Sequence, residues 1–130
     1  MSARAGRAGG RSGPRLALLV RDRPYRRRAA RASLDTALAA AALDFRLEVY
    51  FLGQAVLQLL AERDPAPALL PAGYRGWAAL PELTELRVFA ERRWLQRCAR
   101  DGLDLLLEPE PLGAADMARR WRDCPQALLL

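Results

Sequence analysis

Short apolar runs alternate along this chain with longer stretches in which apolar residues recur at helical spacing. Leu16 to Val20 (LALLV) is wholly apolar and bounded by charge, which predicts a buried first strand. From Arg27 to Leu43 the residues are mainly Ala and Leu. Leu34, Leu38 and Ala41 or Ala42 share one face and Arg27, Arg28, Arg31 and Asp35 lie elsewhere, as in an amphipathic helix. Leu47 to Leu52 is too dense in β-branched and aromatic residues for a half-exposed strand and predicts one covered on both faces. Gly53 ends it, and Gln54 to Ala61 set Val56, Leu57 and Leu60 on one side of a short helix. A buried strand passing straight into a helix belongs to open α/β sheets, where ligand and partner sites gather at the carboxyl ends of the strands.

Beyond that helix, Glu62 to Leu83 contains Pro65, Pro67, Pro71, Gly73, Gly76 and Pro81, which predicts a long loop. Tyr74 and Trp77 give the loop two aromatic anchors, for the core or for another subunit. Leu86 to Ala90 reads as the third strand, and Glu91 to Arg100 as a helix stopped by Gly102, with Trp94, Leu95 and Cys98 on one face. Leu103 to Leu107 reads as a fourth strand, Glu108 to Gly113 as a proline-rich turn, and Ala114 to Arg122 as a helix with Met117, Ala118 and Trp121 inward. Gln126 to Leu130 reads as the final strand. The alternation predicts a three-layer α/β/α domain over residues 15–130, with a mainly parallel five-stranded sheet. Residues 1–14 hold four glycines, three arginines and no large apolar side chain, and are expected to be a disordered basic tail.

Composition narrows the chemistry. The chain has 130 residues, one domain's worth, and at 52% hydrophobic it can fill a core. All 21 basic residues are arginine, and Arg4, Arg7, Arg11 and Arg15 supply four of the net charge of +6, leaving +2 on the rest. A nearly neutral domain does not favour strong nucleic-acid binding. The tail could still act as a basic arm on RNA, and Arg26, Arg27, Arg28 and Arg31 form either a solvated face or a phosphate contact. With no histidine and only Cys98 and Cys124, neither a zinc site nor a histidine-assisted nucleophile is expected, and no cofactor is implied. Cys98 faces the predicted core, whereas Cys124 sits in a turn between Asp123 and Pro125, where the carboxylate opposes thiolate formation. No apolar run approaches the roughly 20 residues of a membrane span, and Leu16 to Val20 is shorter than the apolar region of about 7 to 15 residues in a signal peptide. The expected compartment is the cytoplasm.

Taken together, LALLVRDRPYRRRAARASLDTALAAAALDFRLEVYFLGQAVLQLL, LRVFAERRWLQRCARDGL and LLLEPEPLGAADMARRWRDCPQALLL resemble TusC/DsrF, of the DsrE/DsrF/DsrH sulfur-relay group. The resemblance is most specific at Pro24-Tyr25, Ser33-Leu34-Asp35, Phe51-Leu52-Gly53 through Val56 to Gln58-Leu59-Leu60, and Glu91 leading to Gly102-Leu103. It implies a non-catalytic subunit of a TusBCD-type heterohexamer with TusD/DsrE-like and TusB/DsrH-like partners. Such a complex receives persulfide sulfur from a TusA-like donor and passes it to a TusE-like acceptor, towards 2-thiolation of the tRNA wobble uridine. A DsrF-type subunit of a DsrEFH complex in dissimilatory sulfur oxidation is the alternative. Catalytic relatives carry a cysteine near the end of the strand matching Leu86 to Ala90, where this chain reads Ala90-Glu91. Members often have an acidic residue and glycine where this chain has Gln54-Ala55. No catalytic residue is assigned; the candidate partner-interface residues are Tyr25, Gln54, Tyr74, Trp77 and Glu91. From other classes, a small RNA-binding module and a stand-alone thiol enzyme using Cys98 or Cys124 stay open.

Overall fold

The computed structural model describes residues 13–21, 27–61 and 72–130, apart from the side chains of 27–31 and 72–75. The expected disordered tail lies almost wholly outside this range, as do the loop around Pro24-Tyr25, the side chains of the Arg26–Arg31 cluster and the first part of the Glu62–Leu83 loop.

Five strands form one sheet: β1 (Arg15–Val20), β2 (Arg46–Phe51), β3 (Leu86–Glu91), β4 (Glu110–Leu112) and β5 (Ala127–Leu129). Their order is β4-β3-β2-β1-β5, and every pair is parallel. Three α-helices accompany them: α1 (Arg27–Ala42), α2 (Arg92–Arg100) and α3 (Ala114–Arg122). Two 3₁₀ segments, Gly53–Leu59 and Ala72–Glu82, complete the described elements. The alternation of side chains along the strands divides the core in two. Leu16, Leu18, Val20, Leu47, Val49, Phe51 and Val88 meet α1, the 3₁₀ segments and Cys98 of α2 on one face. Ala17, Leu19, Tyr50 and Phe89 meet Met117 and Trp121 of α3, with Cys124 just beyond it, on the other. The expected three-layer arrangement is the one found, and β2 is buried on both faces.

Helix α1 ends as its sequence directs. Asp44 takes φ 68°, a left-handed conformation that a short polar side chain tolerates. Its N–H donates to the Ala41 carbonyl at 3.0 Å and that of Phe45 to the Ala40 carbonyl at 3.1 Å, which satisfies the last turn and aims the chain into β2.

Three elements differ from expectation. The segment expected as a short α-helix after β2 is a 3₁₀ helix over Gly53–Leu59, with Ala55, Val56, Gln58 and Leu59 buried. The second half of the expected proline-rich loop is also a 3₁₀ helix, because Trp77 and Leu80, three residues apart, eclipse one another on its inner side and are both buried. Gly76 lets this segment lie close to α1: a Cβ there would stand 3.1 Å from Leu34 Cδ2.

The fourth strand is likewise not Leu103–Leu107. That run turns back on the first 3₁₀ segment, with a Leu60–Leu105 antiparallel bridge and the Leu106 N–H donating to the Leu59 carbonyl at 2.6 Å. Leu105 and Leu107 are thereby spent on the larger core. The place beside β3 goes to Glu110–Leu112, inside the expected turn; Pro111 is tolerated there because the strand is at an edge.

Trp77 was a candidate for a partner interface and is corrected to a core residue. It is 2% exposed and meets Phe51 edge-on, with ring centroids 5.1 Å apart. Trp77→Ala is therefore expected to cost about 3–5 kcal/mol of folding stability in urea denaturation of the isolated chain. A variant as stable as the parent would contradict this placement.

Candidate functional site

Chains that leave neighbouring strands toward opposite faces open a crevice between the carboxyl ends of those strands. Here α2 leaves β3 onto the face of the larger core and α3 leaves β4 onto the other. A groove of about 430 Å³ lies between their starts, lined by Glu91, Arg92, Arg93, Gln96, Leu112 and Gly113 among others.

The groove is built at the junctions. β2 runs out through Leu52 into Gly53, whose φ of 54° is easy only for glycine, although a Cβ there would meet no other atom within 4 Å. The Gly53 N–H donates to Glu91 Oε2 at 2.6 Å, a short charge-assisted bond that ties the end of β3 to the turn after β2. Glu91 is also the N-cap residue of α2, but its side chain makes no capping bond there. At α3 the N-cap is Gly113, which has no side chain to offer. Two nine-residue helices thus begin at one groove without side-chain caps, and their N-terminal dipoles add to the exposed guanidinium groups of Arg92 and Arg93. Against these stands Glu91, already engaged by Gly53; Asp116, in the first turn of α3, is paired with Arg119. The arrangement suits an anion. It contains no thiol, since Cys98 is buried further along α2 in the larger core.

A second polar cluster lies under α3 and was not foreseen. Glu48, 6% exposed in the middle of β2, accepts from Arg15 at 3.1 Å and from the Tyr50 hydroxyl at 2.7 Å. Arg120 of α3 pairs with the same carboxylate at 3.5 Å, and the Cys124 thiol donates to it at 4.0 Å. The Arg120 guanidinium also lies over the Phe89 ring, 4.6 Å from its centroid, while its buried Nε has no hydrogen-bond partner among the described residues. Arg87 makes a two-point pair with Glu110 at 3.0 and 2.8 Å, fastening β4 to β3. That contact raises the Arg87 pKa and lowers that of Glu110. The signal for Glu48 was present in LEVYF: an acid within a strand covered on both faces must find partners.

Neither cysteine is arranged as a nucleophile. Burial pushes the Cys98 thiol above its ordinary value, with Asp101 adding to the effect. Burial does the same to Cys124, with Glu48 next in weight. The opposing carboxylate is thus Glu48, on the same face of the sheet, rather than the adjacent Asp123. Tyr50 is pushed up by burial and by its bond to Glu48.

Of the candidate interface residues, Glu91 lines the groove and Gln54 is exposed one residue beyond Gly53, so the structure brings these two to the same end of the sheet. Trp77 is in the core. Tyr25 lies outside the described residues, as does the side chain of Tyr74. Among the described residues no group of His, Cys, Asp and Glu could hold a metal ion, and no helix is long and apolar enough to cross a membrane.

Parallel sheet, opposite-face helices and a strand-end groove define a protein of the open three-layer α/β/α class. The model of the DsrE/DsrF-like family matches residues 15–128, and the chain belongs to that family. The ychN protein from E. coli shares the fold, with a TM-score of 0.70 and 14% identity over 91% of this chain and 100% of that one. No curated protein matches the chain in sequence. Family membership supports a sulfur-relay role in general.

Acids held protonated by the fold stabilise it below their ordinary pKa, and that contribution is lost as pH rises through the folded value. Cys98, Cys124 and Tyr50 are all of this kind, so thermal stability is expected to fall as pH climbs past the ordinary thiol value of 9.0. Cys124→Ala should flatten the fall, and iodoacetamide should label neither thiol near neutral pH unless the chain is unfolded. Calorimetry across the alkaline range and mass spectrometry of the alkylated protein check both.

Proposed function

We propose that this chain is a non-catalytic subunit of a TusBCD-type sulfur-relay complex, which hands persulfide sulfur on towards 2-thiolation of the tRNA wobble uridine. The observation that carries the reading is the strand-end groove: it is electrostatically suited to a sulfur anion and holds no thiol to bind one covalently. Catalytic relatives resembling this chain place a cysteine near the end of β3, whereas Ala90-Glu91 stands there and Glu91 is committed to the Gly53 N–H. The chain's own part is then to shape and charge a surface beside which a partner's persulfide is held. The positive helix ends and Arg92 and Arg93 favour the anionic sulfur, and Glu91 keeps the groove wall in place. TusD/DsrE-like and TusB/DsrH-like chains are the partners, with a TusA-like donor and a TusE-like acceptor upstream and downstream.

Co-expression with TusD-like and TusB-like chains from the same genome is expected to give one complex with two copies of each, seen by size exclusion with mass measurement. In that complex Arg92→Glu with Arg93→Glu should lower the rate of persulfide transfer roughly tenfold, the consequence of losing about 1.4 kcal/mol of stabilisation. Failure of either partner to be retained, or unchanged transfer by the charge-reversed complex, would overturn the reading.

A further inference from the structure

The two edges of the sheet are finished differently. At β4, Pro111 has no N–H to offer and Glu110 is charged and locked to Arg87, features that discourage a further strand. β5 is as short but has neither feature. Ala127, Leu128 and Leu129 carry no charge and no proline, Leu128 and Leu129 are 45% and 59% exposed, and no described residue pairs with the strand on its outer side.

The register on β1 shows what that outer side offers. Leu128 lies beside Leu18, the Gln126 carbonyl accepts from the Ala17 N–H at 2.9 Å, and the Leu130 N–H donates to the Leu19 carbonyl at 2.9 Å. Strand alternation therefore turns the N–H and C=O groups of Ala127 and Leu129 away from β1. We propose that β5 is a self-pairing edge, where a second copy of this chain adds its own β5 antiparallel and joins two five-stranded sheets into one.

The strand's pattern favours its own copy as occupant. With a twofold axis at Leu128, Ala127 of one copy faces Leu129 of the other on both sides of the axis, and each such pair exchanges both of its outward hydrogen bonds. The two Leu128 residues then form the closely spaced central pair, which places apolar side chains together. Isologous contact requires a patch that tolerates itself across the axis, and this neutral strand sets no like charges opposite one another. The inference stands on the geometry of β5 and does not require the sulfur-relay assignment.

Sedimentation velocity of the full chain alone, over a range of concentrations, tests it. Association from the chain's own mass to twice that mass is expected as concentration rises. Leu128→Lys opposes two charges at the axis and is expected to abolish the association. Leu129→Pro removes an outward N–H that the pairing with β1 does not use, and is expected to do the same with the melting temperature preserved. Leu83→Lys, on another exposed leucine, is expected to associate like the parent. A parent chain that stays monomeric at all concentrations would overturn the proposal, as would dimers that persist in folded Leu128→Lys and Leu129→Pro. So would an edge that pairs only with a different chain, seen as association restricted to mixtures with a partner subunit.

Discussion

Glu48 is the constraint from which most of the arrangement follows. A carboxylate in the middle of a strand buried on both faces is tolerable only if its oxygens are met by donors. The donors come from separate places: Arg15 from β1, Tyr50 from β2 itself, Arg120 from the last turn of α3 and Cys124 from the turn after it. Meeting them fixes the only α-helix described on that face, and Arg120 adds its contact with Phe89. A nine-residue helix is about 13 Å long. Anchored near its end at Glu48, α3 has its beginning at the strand-end groove, and the polar cluster under the sheet thereby helps to position the site at the sheet's edge.

The groove owes its character to what each junction leaves unspent. Glu91 could have capped α2 and instead bonds to Gly53, which couples the ends of β2 and β3. Gly113 cannot cap α3. Two positive helix ends with arginines beside them remain, in a chain whose two thiols are buried and held protonated. Holding an anion and performing nucleophilic chemistry are separable tasks, and the charge around the groove suits the first.

The alternation of elements was legible because β1, β2 and β3 are dense apolar runs and α1 to α3 carry helical periodicity. The junction after β2 that the sequence marks at Gly53 does not line the groove itself, but its N–H holds Glu91, which does. The fourth strand was misplaced because Leu103–Leu107 has the composition of a buried strand, yet its leucines satisfy the core from a bridge outside the sheet. Proline and charge hid the true edge strand, where neither disrupts a ladder. Trp77 sat among turn residues, and only the three-residue spacing to Leu80 marked the face it would bury. LEVYF shows that Glu48 needs partners but not which, because Arg15 and Arg120 lie 33 and 72 positions away and no local pattern encodes that pairing.

In the proposed relay, sulfur passes through a complex containing this chain without residing on it. Loading the assembled complex with a persulfide donor and mapping the added sulfur atom by mass spectrometry of each subunit measures this directly. Added sulfur is expected on a partner's cysteine and on neither Cys98 nor Cys124, with transfer undiminished when both are replaced by Ser in a complex that remains assembled. Persulfide found on either of these cysteines in the folded complex, or transfer lost in the doubly substituted one, would contradict it.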